Sequence, residues 1–100
     1  DDGRYAEHYV AAHAGRGYGP LRIAQELAGR GVAADLVERA VDRRDPAWRE
    51  RCVALRRRRF GETLPAEWAE RARQARFLQY RGFGAEQVRA ALGRDFGLEE

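Results

Sequence analysis

The run Arg56-Arg57-Arg58-Arg59, followed by Phe60-Gly61-Glu62-Thr63, is the densest chemistry in the chain. Guanidinium groups hold phosphates and carboxylates through a rigid fork of donors. The run is therefore either a binding surface or a solvated helix face. Residues 43–59 hold eight arginines and two acids, a local charge of about +6, while residues 1–42 and 60–100 are each slightly acidic. All 19 basic residues are arginine and the chain is rich in Ala and Gly, so the argument rests on where the arginines fall rather than on their number.

Consecutive helical residues point about 100° apart, so four arginines cannot share one face. Trp48, Cys52 and Leu55 form an apolar stripe that projects to position 59. This predicts Arg59 near the buried side, Arg57 opposite, and Arg56 and Arg58 on the flanks. Arg43 and Arg44 precede the helix and Arg49 lies above Arg56. The expected basic ridge is Arg43, Arg44, Arg49, Arg56, Arg57 and Arg58, with Arg22, Arg73 and Arg76 as secondary candidates. An anionic partner fits such a ridge, either nucleic-acid phosphate or an acidic protein groove.

Other constellations carry less. In Gly15-Arg16-Gly17-Tyr18-Gly19 the glycines are followed by proline and preceded by no strand, unlike a phosphate loop. His8 and His13 are five apart and do not share a helix face, and Cys52 is the single cysteine, so no metal site is expected. Glu67 and Glu70 have no nucleophile to serve. The chain lacks serine and lysine, which excludes a serine nucleophile, a phosphate-loop lysine and Schiff-base chemistry. We expect no enzyme, no catalytic residue and no cofactor. Tyr18 and Tyr80 are the better exposed rings for base stacking, the other aromatics being read as core or cap packing. A lone cysteine on an apolar stripe reads as a small core residue and suits a reducing compartment, so a cytoplasmic location is the expectation. No apolar run approaches the roughly 20 residues of a membrane helix.

Helices separated by Gly and Pro must position these residues, because no alternating strand pattern is present. Tyr5, Tyr9 and Ala12 mark the first helix, ended by Gly15 to Pro20. Leu21, Ala24, Leu27 and Ala28 mark the second, with Ile23 beside them, and Gly29 and Gly31 stop it. Leu36, Val37, Ala40 and Val41 mark the third. Asp45 as N-cap and Pro46 at the first position open the fourth. Pro65 opens the fifth, with the stripe Trp68, Ala72, Ala75 and Leu78, and Gly82 ends it. Ala85, Val88, Ala91 and Leu92 form the sixth.

The second half repeats the first. At an offset of 51, Leu27, Arg30 and Gly31 are identical to Leu78, Arg81 and Gly82, and Ala34, Val37 and Ala40 correspond to Ala85, Val88 and Ala91. Upstream, Tyr5 aligns with Trp48 at an offset of 43, which places about eight extra residues around FGETLPAE. The expectation is an all-α protein of two tandem three-helix modules, residues 1–43 and 44–100, packed on each other and elongated. Gly31 and Gly82 are structural turns, where positive φ ends the second helix of each module, and the arginine before each complements the helix dipole.

These segments resemble a known family. YGPLRIAQELAGRGVAADLVERAV (Tyr18 to Val41) is similar to the second module of the bacterial RecX regulatory proteins. ARQARFLQYRGFGAEQVRAAL (Ala72 to Leu92) is similar to the third, and together the likeness covers nearly the whole chain. The family usually has three modules, so the first is absent here, and the chain opens on Asp1 as a fragment or trimmed product would. Nothing in the sequence demands a dimer, so a monomer is expected, and the resemblance implies a non-enzymatic partner of the RecA recombinase filament. It would restrain strand exchange, ATPase and coprotease activity in recombinational repair and the SOS response, with weak DNA contact and no membrane. The alternative is a small helical DNA-binding module without a recombinase partner. Against it, the absence of Asn and Lys leaves little base-reading chemistry.

Overall fold

The computed structural model describes residues 1–93, and among them the chain is all helical. The elements are α1 (Asp2–Gly15), α2 (Pro20–Gly29), α3 (Ala34–Ala40), α4 (Ala47–Phe60), α5 (Trp68–Tyr80) and α6 (Ala85–Leu92). Helices α1–α3 pack on one another, as do α4–α6, with α4 against α6 the most extensive contact. The result measures 47 × 25 × 20 Å, with a radius of gyration of 14.2 Å. A compact chain of this length has a radius of about 13 Å. These are two three-helix units laid end to end.

Local chemistry accounts for most helix ends. Asp1 caps α1 through Oδ1, which accepts from Arg4 N at 3.1 Å. Pro20 fills the first turn of α2, where its missing N–H is harmless. Asp45 Oδ1 accepts from Ala47 N at 3.0 Å, so the expected cap acts from two residues before Ala47, the first residue of α4. The turn after α2 places Gly31 at φ 87°, and the turn after α5 places Gly82 at φ 101°. Each closes with the same pair of bonds. Gly31 N donates to Ala28 O and Val32 N to Leu27 O, while Gly82 N donates to Gln79 O and Phe83 N to Leu78 O. Val32 and Phe83 are both buried behind their turns.

One apolar core runs through both units, from Ala6, Ile23, Leu27, Val37 and Val41 to Trp48, Cys52, Leu55, Leu78, Phe83, Val88 and Leu92. Four expectations are corrected. The packed face of α1 is Ala6, Tyr9, Val10 and Ala14, whereas Tyr5 and Ala12 are exposed. On α2, Ile23 is fully buried while Leu21 and Ala28 are exposed. The fifth helix begins at Trp68 rather than Pro65, because Glu67 is extended at φ −85°, ψ 138°. Trp68, expected in the stripe, is 60% exposed.

Candidate nucleic-acid and filament interface

The arginine run behaves differently from its projection. Arg56 is 1% exposed and points into the second unit. Its Nη2 donates to the Gly61 and Glu62 carbonyls, each at 3.1 Å, and its Nη1 to Gln74 Oε1 at 3.4 Å. Its Nε finds no acceptor among the described residues. Burial, and then the neighbouring Arg57, lower its pKa below the ordinary arginine value, but a guanidinium remains protonated in a protein. Arg56 is thus a buried cation held by oxygen dipoles, pinning the chain after α4 to α5. It is withdrawn from the binding ridge. Position 56 is i+4 from Cys52, so it continues the apolar stripe as well as position 59 does. Arg59 is exposed instead, with its guanidinium 4.6 Å from the Phe77 ring centre.

The remaining ridge residues are exposed but do not form one patch. Arg43 and Arg44 sit in the linker before α4 and line an open groove with Leu21, Ala24, Val37 and Val41. Arg49 and Arg57 line a second groove with Arg89, between α4 and α6. Both are partly neutralised, Arg49 by Glu86 at 2.9 Å and Arg57 by Glu62 at 3.6 Å. Arg58 lies about 16 Å along α4 from Ala47. It faces the loop of the first unit, where a methyl group on Gly17 would lie 3.6 Å from its Nη2. Of the secondary candidates, Arg22 pairs with Glu26 at 3.2 Å and Arg73 with Glu70 at 2.8 Å, and Arg76 is exposed.

The structure gathers a different set at the junction between the units. Arg81 Nη1 donates to Arg16 O at 3.0 Å, and its guanidinium lies 4.9 Å from the Tyr18 ring centre and 5.2 Å from that of Phe77. Arg22 lies between Tyr18 and Tyr80, at 4.5 and 5.4 Å from their ring centres. Arginines and rings therefore alternate from Tyr80 through Arg22, Tyr18, Arg81 and Phe77 to Arg59. Arg58 and Arg16 border this ladder with no ion pair to an acid among the described residues. Tyr80 is 75% exposed, a free ring face beside positive charge. Sequence reasoning missed Arg16, Arg59 and Arg81 as members of one surface. The signal for Arg81 was its repeat partner Arg30, but the two guanidinium groups go to different places. Arg30 lies over Tyr9 at 5.2 Å and donates to Tyr5 Oη at 3.4 Å, inside its own unit.

Glu26 limits the positive field on the far side. Its Oε1 accepts from the Tyr9 hydroxyl at 2.7 Å and its Oε2 from Arg22 Nε. The Tyr9 hydroxyl, followed by Arg22, holds its carboxyl below the usual range. Two groups considered for reactive chemistry are occupied structurally. His13 stacks on Tyr9, with ring centres 3.8 Å apart. The Cys52 thiol is buried, and desolvation pushes its pKa up to about 12, which leaves no thiolate to react.

The junction is held by backbone meeting backbone. Gly19 N donates to Arg81 O at 2.7 Å and Leu21 N to Gly82 O at 2.9 Å. The free N–H groups that open α2 are thus capped by carbonyls of the other unit. A side chain at either glycine has no space. A methyl on Gly19 would lie 2.5 Å from Gly82 O and from Phe83 N, and one on Gly82 would lie 2.7 Å from Arg22 N.

Residues 1–41 match the family profile described as "RecX, second three-helix domain", and residues 49–92 match "RecX, third three-helix domain". A protein of Halorhodospira halophila named "Regulatory protein RecX" is 50% identical over 91 residues, covering 91% of this chain and 56% of the relative. Proteins of the same name from Serratia proteamaculans and Stenotrophomonas maltophilia are 38% and 39% identical, over 96% and 95% of this chain. The chain spans somewhat more than half the length of these relatives, at 56% to 58%. With both halves matched in order, the chain belongs to the RecX family of regulatory proteins.

Proposed function

We propose that this chain is a non-enzymatic regulator, acting in the cytoplasm, that binds the RecA recombinase filament on DNA and restrains its activities. Residues 1–43 and 44–100 act as two linked contact modules. The observation that carries this reading, beside family membership, is the junction surface. Arg16, Arg58 and Arg81 meet there around Gly17 without a carboxylate partner, and Arg22 links Tyr18 to the exposed ring of Tyr80. A nucleoprotein filament presents phosphates together with protein carboxylates, and this surface has donors for both. Arg43 and Arg44, and Arg49 and Arg57, offer further donors in two separate grooves. The mechanism is occupancy: a module bound across filament subunits shifts the filament between active and dissociating states.

The test measures binding to RecA assembled on single-stranded DNA, beside naked single- and double-stranded DNA and free RecA, at several salt concentrations. The variant is Arg57→Ala with Arg58→Ala, leaving the buried Arg56 in place. Preferential filament binding by the wild type, weakened in the variant, supports the proposal. Where the two arginines meet single-strand phosphates, the slope of log K against log salt falls by about 1.4. Tight binding to naked duplex DNA with no preference for the filament would instead establish the DNA-binding module as the correct reading.

A further inference from the structure

Tyr80 ends α5 with 75% of its surface exposed. Arg22 lies over its ring, 5.4 Å from the centre, and among the described residues no second cation and no other ring covers it. The fold does not require a ring at this position. At the repeat offset of 51, Tyr80 corresponds to Gly29, which is also exposed and ends α2 before the same kind of turn. Yet the tyrosine is held firmly. Arg22 Nη1 donates to Tyr80 O at 3.3 Å, and Arg22 Nε donates to Glu26 Oε2 at 3.2 Å. The same guanidinium lies 4.5 Å from the Tyr18 ring centre. An exposed aromatic face is therefore backed by a fixed cation.

The surroundings of the ring carry polar groups with capacity to spare. Gln25 and Gln79 line the same shallow pocket as Tyr80, both are exposed, and neither side chain is hydrogen-bonded among the described residues. Further along the ladder, Arg81 Nη1 and Arg58 Nη2 lie 3.1 and 3.6 Å from one point, a methyl placed on Gly17. Two like charges are thus held close, with no ion pair to an acid among the described residues. Arg81 commits Nη1 to the Arg16 and Gly17 carbonyls, which leaves Nε and Nη2 to meet an anion.

We propose that Tyr80 is the stacking platform for one unpaired nucleobase of a single strand, with a phosphate further along that strand held by Arg58 and Arg81. This deepens the reading of the junction as the surface that meets DNA, and rests on it for the source of the strand. The pattern fits a single strand in each part. A base lays its π-face on the ring, its edge meets the amides of Gln25 and Gln79, and its backbone follows the cations. A paired base in a duplex is stacked on its neighbours and has no face to offer, whereas an unpaired one can be splayed onto an aromatic side chain. An acidic peptide would engage the arginines and leave the ring and both amides unused. The platform is also composite: Arg22 and Tyr18 come from the first unit, and Tyr80, Arg81 and Arg58 from the second. A strand bound across it therefore stabilises the docked arrangement of the two units.

The experiment measures fluorescence anisotropy of two labelled oligonucleotides of equal length, one of thymidine and one of abasic residues, which have the same phosphates but no bases. No recombinase is present. Wild type is expected to bind the thymidine strand about tenfold more tightly than the abasic one. Tyr80→Ala is expected to remove that preference, to bind the abasic strand as wild type does, and to leave the slope of log K against log salt unchanged, because no phosphate contact is lost. Tyr80→Phe is expected to keep the preference. Both are exposed substitutions and should leave the melting temperature within about 3 °C of wild type. Equal binding of the two strands by wild type, no binding of either, or an equal loss on both strands in Tyr80→Ala would each overturn the proposal. Filament binding without a base preference would sink this proposal and leave the regulator reading standing. A base preference without filament binding would do the reverse.

Discussion

Leu27 to Val32 and Leu78 to Phe83 share a leucine, an arginine and a glycine at matched positions and close with the same hydrogen bonds. Yet one turn is open to solvent and the other is the joint of the molecule. The difference lies in what faces the turn. Gly31 is needed only for its positive φ. Gly82 is needed for its positive φ and because Arg22 of the first unit leaves no room for a Cβ. Identical residues at repeated positions thus do unequal work, and the repeat alone does not rank them. A second contrast runs the same way. The buried polar side chains, Arg56, Gln74 and Gln87, all belong to the second unit, while the core of the first is apolar.

The sharpest way to break the comparison is Gly82→Ala beside Gly31→Ala. At Gly82 the clash adds to backbone strain, and the change is expected to destabilise by more than about 3 kcal/mol and to pull the units apart. A lowered melting midpoint with a larger radius of gyration in X-ray scattering checks this. Equal effects at the two glycines would show that the joint is not where these contacts put it. Next in size, Arg56→Ala leaves the Gly61 and Glu62 carbonyls and Gln74 without their donor. It is expected to destabilise by about 3 kcal/mol in urea denaturation. Arg57→Ala, on the exposed neighbour, is expected to change stability by less than about 0.5 kcal/mol. Gly31→Ala should lower stability by about 1 kcal/mol, the strain of a left-handed alanine alone.

The smallest effect concerns acid stability in the second unit. Glu70 accepts from Arg73 at 2.9 and 2.8 Å and from Gln74 Nε2 at 2.9 Å. Arg73, followed by Gln74, lowers its pKa from the ordinary 4.5 to about 2. A depressed carboxylate contributes stability that is fully present above its unfolded pKa and is lost as pH falls through its folded pKa. Thermal melts of wild type and Glu70→Gln should therefore differ most above about pH 4.5 and converge toward pH 2. Curves that stay parallel down to pH 2 would show that the pair does not tune stability.

Much of this protein was legible in its residues. Gly and Pro punctuation together with helical spacing specified six helices, and the 51-residue repeat specified two like units. Both depend on local interactions, which a chain carries wherever it goes. The matching segments also carried the family resemblance. The tertiary structure decided which arginine is buried. Positions 56 and 59 both extend the stripe of α4, and only the returning carbonyls of Gly61 and Glu62 make position 56 tolerable for a cation. It also decided that Trp68 stays exposed, that Gly19 meets Gly82, and that Arg16, Arg58 and Arg81 share a surface. Those facts join residues up to 65 positions apart. Helical periodicity carries no term for what lies across a joint.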